Sequence, residues 1–155
     1  MGSKLIVFLP FLAISICGYF FPVSKNKSKP VFQPPDWFFG IIWTYISLSL
    51  GIVTNKFINC TKIKINDKKN ILKQYLLLIY LLCYWLYLNY HKLENVSFYL
   101  LVITCYLSIV YLIYLSKVSS RRLKKLVWYL LPLPFWLVLA SCLNGVTYNN
   151  SVKLS

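Results

Sequence analysis

The sequence predicts an all-α membrane protein, a bundle of five transmembrane helices. Of its 155 residues, 59% are hydrophobic and 13% are charged. A soluble domain of this length has too much surface for its volume to bury so many apolar side chains. The apolar residues instead form runs close to the ~20 residues that a helix needs to cross a bilayer. We therefore expect a single membrane domain over 1–155, built of helices because lipid offers the backbone no other hydrogen-bond partner.

Five apolar segments follow one another along the chain, separated by short polar links. They lie at about 5–21, 37–58, 71–90, 96–115 and 126–146. The first also looks like a signal peptide, because Lys4 precedes its apolar run. It continues through aromatic residues without a clear small-x-small cleavage site, so we interpret it as a retained helix.

Prolines lie inside two of these segments. Pro10 is in the first, and Pro132 and Pro134 are near the start of the fifth. Membrane helices tolerate proline where neighbouring groups satisfy the backbone carbonyl that it leaves without a donor. We expect both helices to bend at these positions.

The basic residues flank the apolar runs, where Lys and Arg meet lipid headgroups. In a soluble protein the formal charge of +14 would suggest a nucleic-acid partner. Here no Lys or Arg is interleaved with a folded polar domain, so we expect none. The N-terminus and the second and fourth links hold twelve of the 17 Lys and Arg. The positive-inside rule then places the N-terminus inside and the C-terminus outside.

The titratable residues form no recognisable catalytic or metal-binding pattern. The acids are Asp36, Asp67 and Glu94, all at loops or interface positions. The five Cys include no Cys-x-x-Cys motif, and His91 is the single histidine. Acid–base catalysis and zinc binding both need such residues in pairs or clusters. We therefore expect no catalytic residues, no metal and no conventional enzyme.

Two blocks of residues carry a family resemblance. The first runs from Lys29 to Gly51, and its matching positions are Lys29, Pro30, Pro34, Pro35, Trp43, Thr44 and Gly51. The second lies in the fifth segment, with Pro132, Trp136, Ala140, Leu143 and Asn144 at matching spacing, and Leu88–Asn89 is a weaker third block. At these positions the chain resembles the translocator protein family (TspO/MBR, or peripheral benzodiazepine receptor).

The chain departs from the family pattern at a few positions. Phe32 stands where the family has Trp, Ser47 where it usually has Tyr, and Thr104 where it often has Asp. The link after Asn89 is also shorter than in the family. These differences leave open whether the ligand preference of the family is retained.

The resemblance implies a TspO/MBR-like bundle with a ligand pocket between its helices and the first link as a lid. The implied ligands are porphyrin, haem or cholesterol, and no resident cofactor is implied. The implied contact residues are Phe32, Pro35, Trp43, Ser47, Asn89, Cys105, Trp136, Ala140 and Asn144. Ordinary core packing is the alternative for the Trp residues, and helix-end caps or interhelical hydrogen bonds for the Asn residues. Lys25, Lys27 and Lys29 are placed to pair with porphyrin propionates.

The C-terminal end of the fifth segment matches a loose sterol-binding pattern. It reads Val146-x-Tyr148-x4-Lys153, and Leu143 can also serve as its first residue. Such patterns have low specificity. A tail that leaves the membrane through Tyr and Lys would have the same sequence, so both interpretations stay open.

The function that the resemblance implies is binding of a porphyrin, haem or sterol, with transport or buffering of that ligand left open. One alternative is a multi-pass scaffold protein that keeps the fold and has lost the ligand site. Another is a membrane enzyme that degrades porphyrin. We expect an integral multi-pass protein of a lipid bilayer (the mitochondrial outer membrane or another internal membrane, if the cell is eukaryotic), with a homodimer as a candidate assembly.

Overall fold

The computed structural model describes residues 2–22, 34–119 and 121–153. Six α-helices and one short 3₁₀ helix form nearly all of these ranges, which contain no β-strand. In chain order they are α1 (Gly2–Phe20), α2 (Asp36–Ile58), α3 (Ile65–Tyr90), α4 (Glu94–Val118), α5 (Arg121–Val127), the 3₁₀ helix (Trp128–Leu130) and α6 (Pro132–Lys153). The predicted all-α class is confirmed.

Four stretches of helix are long and apolar enough to cross a membrane. They are Asp36–Ile58, Ile65–Tyr90, Glu94–Val118 and Leu123–Val146, and the apolar part of α1, Lys4–Phe20, is shorter. Large apolar side chains on these stretches face outward, among them Ile41, Tyr106 and Phe135, each more than half exposed. Apolar surface on this scale needs lipid around it. The chain is therefore an integral, multi-pass membrane protein.

Helix α3 begins at Ile65, six residues before the predicted apolar segment. The Lys68 N–H donates to the Lys64 carbonyl at 3.1 Å, which continues the helix through this polar turn. Asp67 lies in the same turn, where the helix dipole favours a carboxylate, and it accepts a hydrogen bond from the Tyr114 hydroxyl of α4 at 2.9 Å. An apolar run predicts only the part of a helix that lipid surrounds. A polar turn that continues the helix beyond the apolar run is therefore not predicted.

The fifth apolar segment, predicted over 126–146 with a bend at its prolines, is divided into α5, the 3₁₀ helix and α6. Pro132 is the first residue of α6, and neither it nor Pro134 has an N–H to donate. The Trp128 carbonyl therefore accepts from Leu131 N at 3.2 Å, a bond one residue shorter than in an α-helix. The prolines end one helix and begin another instead of bending a continuous one.

Helix α1 packs closely against both α2 and α3. Against α2 the contact is between backbones, because a Cβ at Gly51 would overlap the Val7 carbonyl oxygen. Against α3 it includes a hydrogen bond from the Tyr75 hydroxyl to the Ile6 carbonyl. Small residues allow this kind of close approach between membrane helices, so Gly51 sets the distance between α1 and α2.

Buried polar side chains connect the other helices. The hydroxyls of Thr54 in α2 and Tyr111 in α4 are 2.7 Å apart, and both residues are fully buried. Ser97 of α4 accepts from the amides of Asn89 in α3, at 3.2 Å, and Asn144 in α6, at 2.9 Å. Hydrogen bonds between helices hold membrane bundles together where hydrophobicity alone gives little preference.

Candidate functional site

An aromatic cluster lies where α2, α3 and α6 meet. Trp43 of α2 and Trp85 of α3 stack with their rings 30° apart and their centroids 6.1 Å apart. Trp136 of α6 meets Trp43 edge-on, at 6.4 Å and 89°. Phe38 and Phe39 contact the same Trp136 ring at 6.1 and 5.1 Å. Offset and edge-on arrangements are the favourable ones for aromatic pairs, so three helices together fix the orientation of the indoles.

A cavity of about 400 Å³ adjoins this cluster, between α1, α2 and α3. Its walls are formed by Phe11, Ile14, Ser15 and Gly18 of α1, by Gly40, Trp43, Thr44 and Ser47 of α2, and by Leu82, Trp85 and Leu86 of α3. The volume falls within the range of about 300–1,000 Å³ that small-molecule sites occupy. The stacked indoles form part of the wall, so the cavity offers aromatic surface to a ligand.

The polar side chains of this wall are mostly engaged with their own helix. The Thr44 hydroxyl donates to the Gly40 carbonyl at 2.8 Å, and the Ser47 hydroxyl donates to the Trp43 carbonyl at 2.6 Å. No Asp, Glu, Lys, Arg, His or Cys is among the lining residues that the structure describes. The cavity can therefore hold an apolar molecule and accept a few hydrogen bonds through hydroxyl oxygens, but it carries no acid–base pair.

Two indole N–H groups near the cavity lack hydrogen-bond partners within the described ranges. They are Trp85 Nε1, in the cavity wall, and Trp136 Nε1, in the aromatic cluster, and both atoms are buried. A buried donor without a partner costs about 1–3 kcal/mol.

The structure places two of the predicted contact residues, Trp43 and Ser47, in the wall of the cavity. Trp136 is outside that wall and touches it through its T-shaped contact with Trp43. Pro35 is at the N-terminus of α2, where its carbonyl accepts from Phe38 N at 2.9 Å. Phe32, like the lysines of the first link at 25, 27 and 29, lies outside the described residues.

The other predicted contact residues lie in the interior contacts of α4 with α3 and α6. Asn89 and Asn144 are buried and share the Ser97 hydroxyl, which is the interhelical hydrogen bonding considered as their alternative. The Cys105 thiol faces the Pro134 carbonyl at 3.7 Å, and Ala140 is buried in the same core. None of these four lines the cavity.

Sequence reasoning missed Trp85 and the whole contribution of α1 to the wall. Trp85 had the same signal that singled out Trp43, an indole well inside an apolar segment. Phe11, Ile14 and Ser15 had no such signal, because any apolar helix contains residues like them. Only the packing of α1 against α2 and α3 shows that they face a cavity.

The predicted sterol pattern lies on the last turns of α6. Leu143 and Val146 are partly buried there. The backbone is helical at positions 148 and 153, and the structure describes only the backbone there. Elsewhere in the described ranges, no group of three His, Cys, Asp or Glu side chains is placed to hold a metal ion.

The comparisons with known proteins agree with the family resemblance. The model of the TspO/MBR family matches residues 6–149. The chain is 31% identical over 156 aligned residues to the Tryptophan-rich protein TspO of Archaeoglobus fulgidus, covering 90% of this chain and 91% of that protein. The match thus spans all the apolar helices and both sequence blocks. The chain belongs to the TspO/MBR family.

Proposed function

We propose that this translocator-like membrane protein binds a flat hydrophobic ligand of the porphyrin, haem or sterol type in the cavity between α1, α2 and α3. The observation that carries the proposal is the wall formed by the stacked indoles of Trp43 and Trp85. A flat ring system gains from dispersion and offset stacking against such a surface, by about 0.5–1.5 kcal/mol for each aromatic pair.

The lining of the cavity favours binding over the alternatives. A scaffold protein that had lost its ligand site would be expected to fill the space between its helices with side chains, whereas this space is about 400 Å³. A porphyrin-degrading enzyme would need groups that move protons or electrons. Within the described lining, the indoles are the only groups suited to such chemistry, which supports binding without bond cleavage.

The charge of the first link favours a ligand with acidic groups. Gly18 and Gly40 line the cavity close to the ends of α1 and α2 that this link joins. Residues 21–35, which join the two helices, carry Lys25, Lys27 and Lys29, and Asp36 at the start of α2 offsets one of these three charges. We therefore propose porphyrin, with its propionates toward the lysines and its ring between the helices, ahead of a neutral sterol.

We also propose that α1 is a fifth transmembrane span. Its 19 residues give a length of about 28 Å, close to the ~30 Å hydrocarbon core. It packs against two membrane-length helices and supplies one wall of the cavity. Both observations support a position within the membrane.

The experiment is a titration of the purified protein in detergent with protoporphyrin, followed by quenching of tryptophan fluorescence. We expect Trp43→Phe and Trp85→Phe each to weaken binding about 2–5-fold, because a phenyl ring offers a flat ligand less stacking surface than an indole. Gly40→Leu should abolish saturable binding, because its side chain would occupy the cavity. The matched control is Trp128→Phe, whose indole is exposed and distant from the cavity wall.

The titration separates the proposal from its alternatives. If Trp43→Phe, Trp85→Phe and Gly40→Leu all bind protoporphyrin as the wild type does, the cavity is not the site. If cholesterol competes with protoporphyrin for the wild type and Gly40→Leu loses both, the cavity binds flat hydrophobic molecules without selecting acidic ones. Product formation from bound porphyrin that Trp43→Phe loses would favour the enzyme.

A further inference from the structure

A second cleft, of about 590 Å³, is lined by residues between 112 and 131 and shares no residue with the cavity between α1, α2 and α3. It is formed by the end of α4, by α5 and by the break before α6. Its lining residues are Leu112, Ile113, Ser116, Lys117, Lys124, Val127, Trp128 and Leu131. It therefore lies beside the proline break at the start of α6.

The cleft has a basic rim and an apolar floor. Lys117 and Lys124 are exposed, while Leu112 and Val127 are buried. Along α4, the step from Lys117 back to Leu112 is about 7 Å toward the middle of the membrane span. A molecule in the cleft would thus meet positive charge at one end and hydrocarbon at the other.

The surroundings strengthen the positive charge. Between 117 and 125 the chain has five basic residues and no acidic one. By the positive-inside rule this link is on the inner side of the membrane, where anionic lipids concentrate and basic pockets between helices bind their headgroups. Trp128, which is 71% exposed, has the amphipathic ring that suits the interface between headgroups and chains.

We propose that this cleft binds one anionic glycerophospholipid from the surrounding bilayer. Its phosphate lies between the ammonium groups of Lys117 and Lys124, and the upper part of one acyl chain lies along Leu112, Ile113 and Leu131. A soluble phosphate compound would use the rim but gain nothing from the apolar floor. A zwitterionic lipid would use the floor, but its choline would offset the attraction of the rim.

The test is native mass spectrometry of the full chain in detergent, titrated with phosphatidylglycerol or with phosphatidylcholine of the same acyl chains. We expect one phosphatidylglycerol to bind preferentially. Each lysine contributes about fivefold to that preference, so Lys117→Gln/Lys124→Gln should lower it about 25-fold. Ser116→Phe, which keeps every charge and fills the cleft, should also remove the bound lipid.

The matched control is Lys56→Gln/Lys62→Gln, which removes two exposed lysines from the end of α2 and the link after it, on the same predicted side. It should keep the phosphatidylglycerol preference, and circular dichroism should show the same helix content in all variants. Equal losses in both lysine pairs would mean diffuse attraction to charge and overturn the proposal, as would an unchanged lipid count in Ser116→Phe. Competition by glycerol 3-phosphate at equal concentration would overturn the assignment of the site to a lipid.

Discussion

Replacing Gly51 by Ala tests the contact that holds α1 against the rest of the bundle. A Cβ at this position would overlap the Val7 carbonyl oxygen and would lie only 2.7 Å from Val7 C and 2.9 Å from Val7 Cα. These are backbone atoms of another helix, which cannot turn aside as a flexible side chain can. Helix α1 must therefore move away from α2 as a body.

The expected cost follows from what that movement disturbs. Overpacking a tight contact costs about 1–3 kcal/mol. Ile6, next to Val7, accepts the hydrogen bond of the Tyr75 hydroxyl, and loss of that bond adds about 0.5–1.5 kcal/mol. Ala is more favourable than Gly in a helix by about 0.5–1 kcal/mol, which offsets part of the loss. We expect a net destabilisation of about 1–3 kcal/mol.

The assay is thermal unfolding in detergent, followed by tryptophan fluorescence and compared with Gly40→Ala. A Cβ at Gly40 would meet nothing within 4 Å, so this control keeps the gain in helix propensity without the clash. We expect Gly40→Ala to unfold at or above the wild-type temperature and Gly51→Ala well below it. Equal unfolding temperatures for the two variants would refute the backbone contact between α1 and α2.

Two further predictions concern the buried polar bonds. Ser97→Ala removes the oxygen that accepts from Asn89 and Asn144, and we expect it to cost about 1–2 kcal/mol in the same unfolding assay; a neutral result would mean that neither amide depends on it. Tyr111→Phe should cost about 0.6–1.7 kcal/mol through the loss of its bond to Thr54. A double-mutant cycle with Thr54→Val should show coupling of that size, and zero coupling would contradict the bond.

The parts of the fold that could be predicted are the helices marked by long runs of apolar residues along the sequence. Lipid demands an apolar run of sufficient length, and the sequence shows such runs directly. The polar first turn of α3 has no such signal, because Asp67 and its neighbours continue a helix in the aqueous region through backbone bonds and a dipole. Pro132 was recognisable in the sequence as a position that disturbs a helix. Whether the helix would bend or divide there depended on which N–H replaced the missing proline N–H, and in the structure the Leu131 N–H donates to the Trp128 carbonyl.

The candidate site was predictable only where a residue is unusual for its position. A Trp inside an apolar segment is such a residue, and Trp43 is in the cavity wall. Asn89 is equally unusual, yet the Ser97 hydroxyl and the Trp85 carbonyl accept from its amide nitrogen without any ligand. A buried amide reports that a polar partner exists, and the sequence alone does not distinguish a neighbouring helix from a bound molecule.

The helical glycines occupy two kinds of position: one where close packing excludes a side chain, and one beside the open cavity. At Gly51 the neighbouring backbone excludes any side chain, so packing alone accounts for the residue. Gly18 and Gly40 also lie in helices and have no positive φ, yet a Cβ at either would meet nothing within 4 Å. Each costs about 0.5–1 kcal/mol relative to Ala in a helix. Both line the cavity, so what they provide is open volume beside the stacked indoles, at the proposed ligand site.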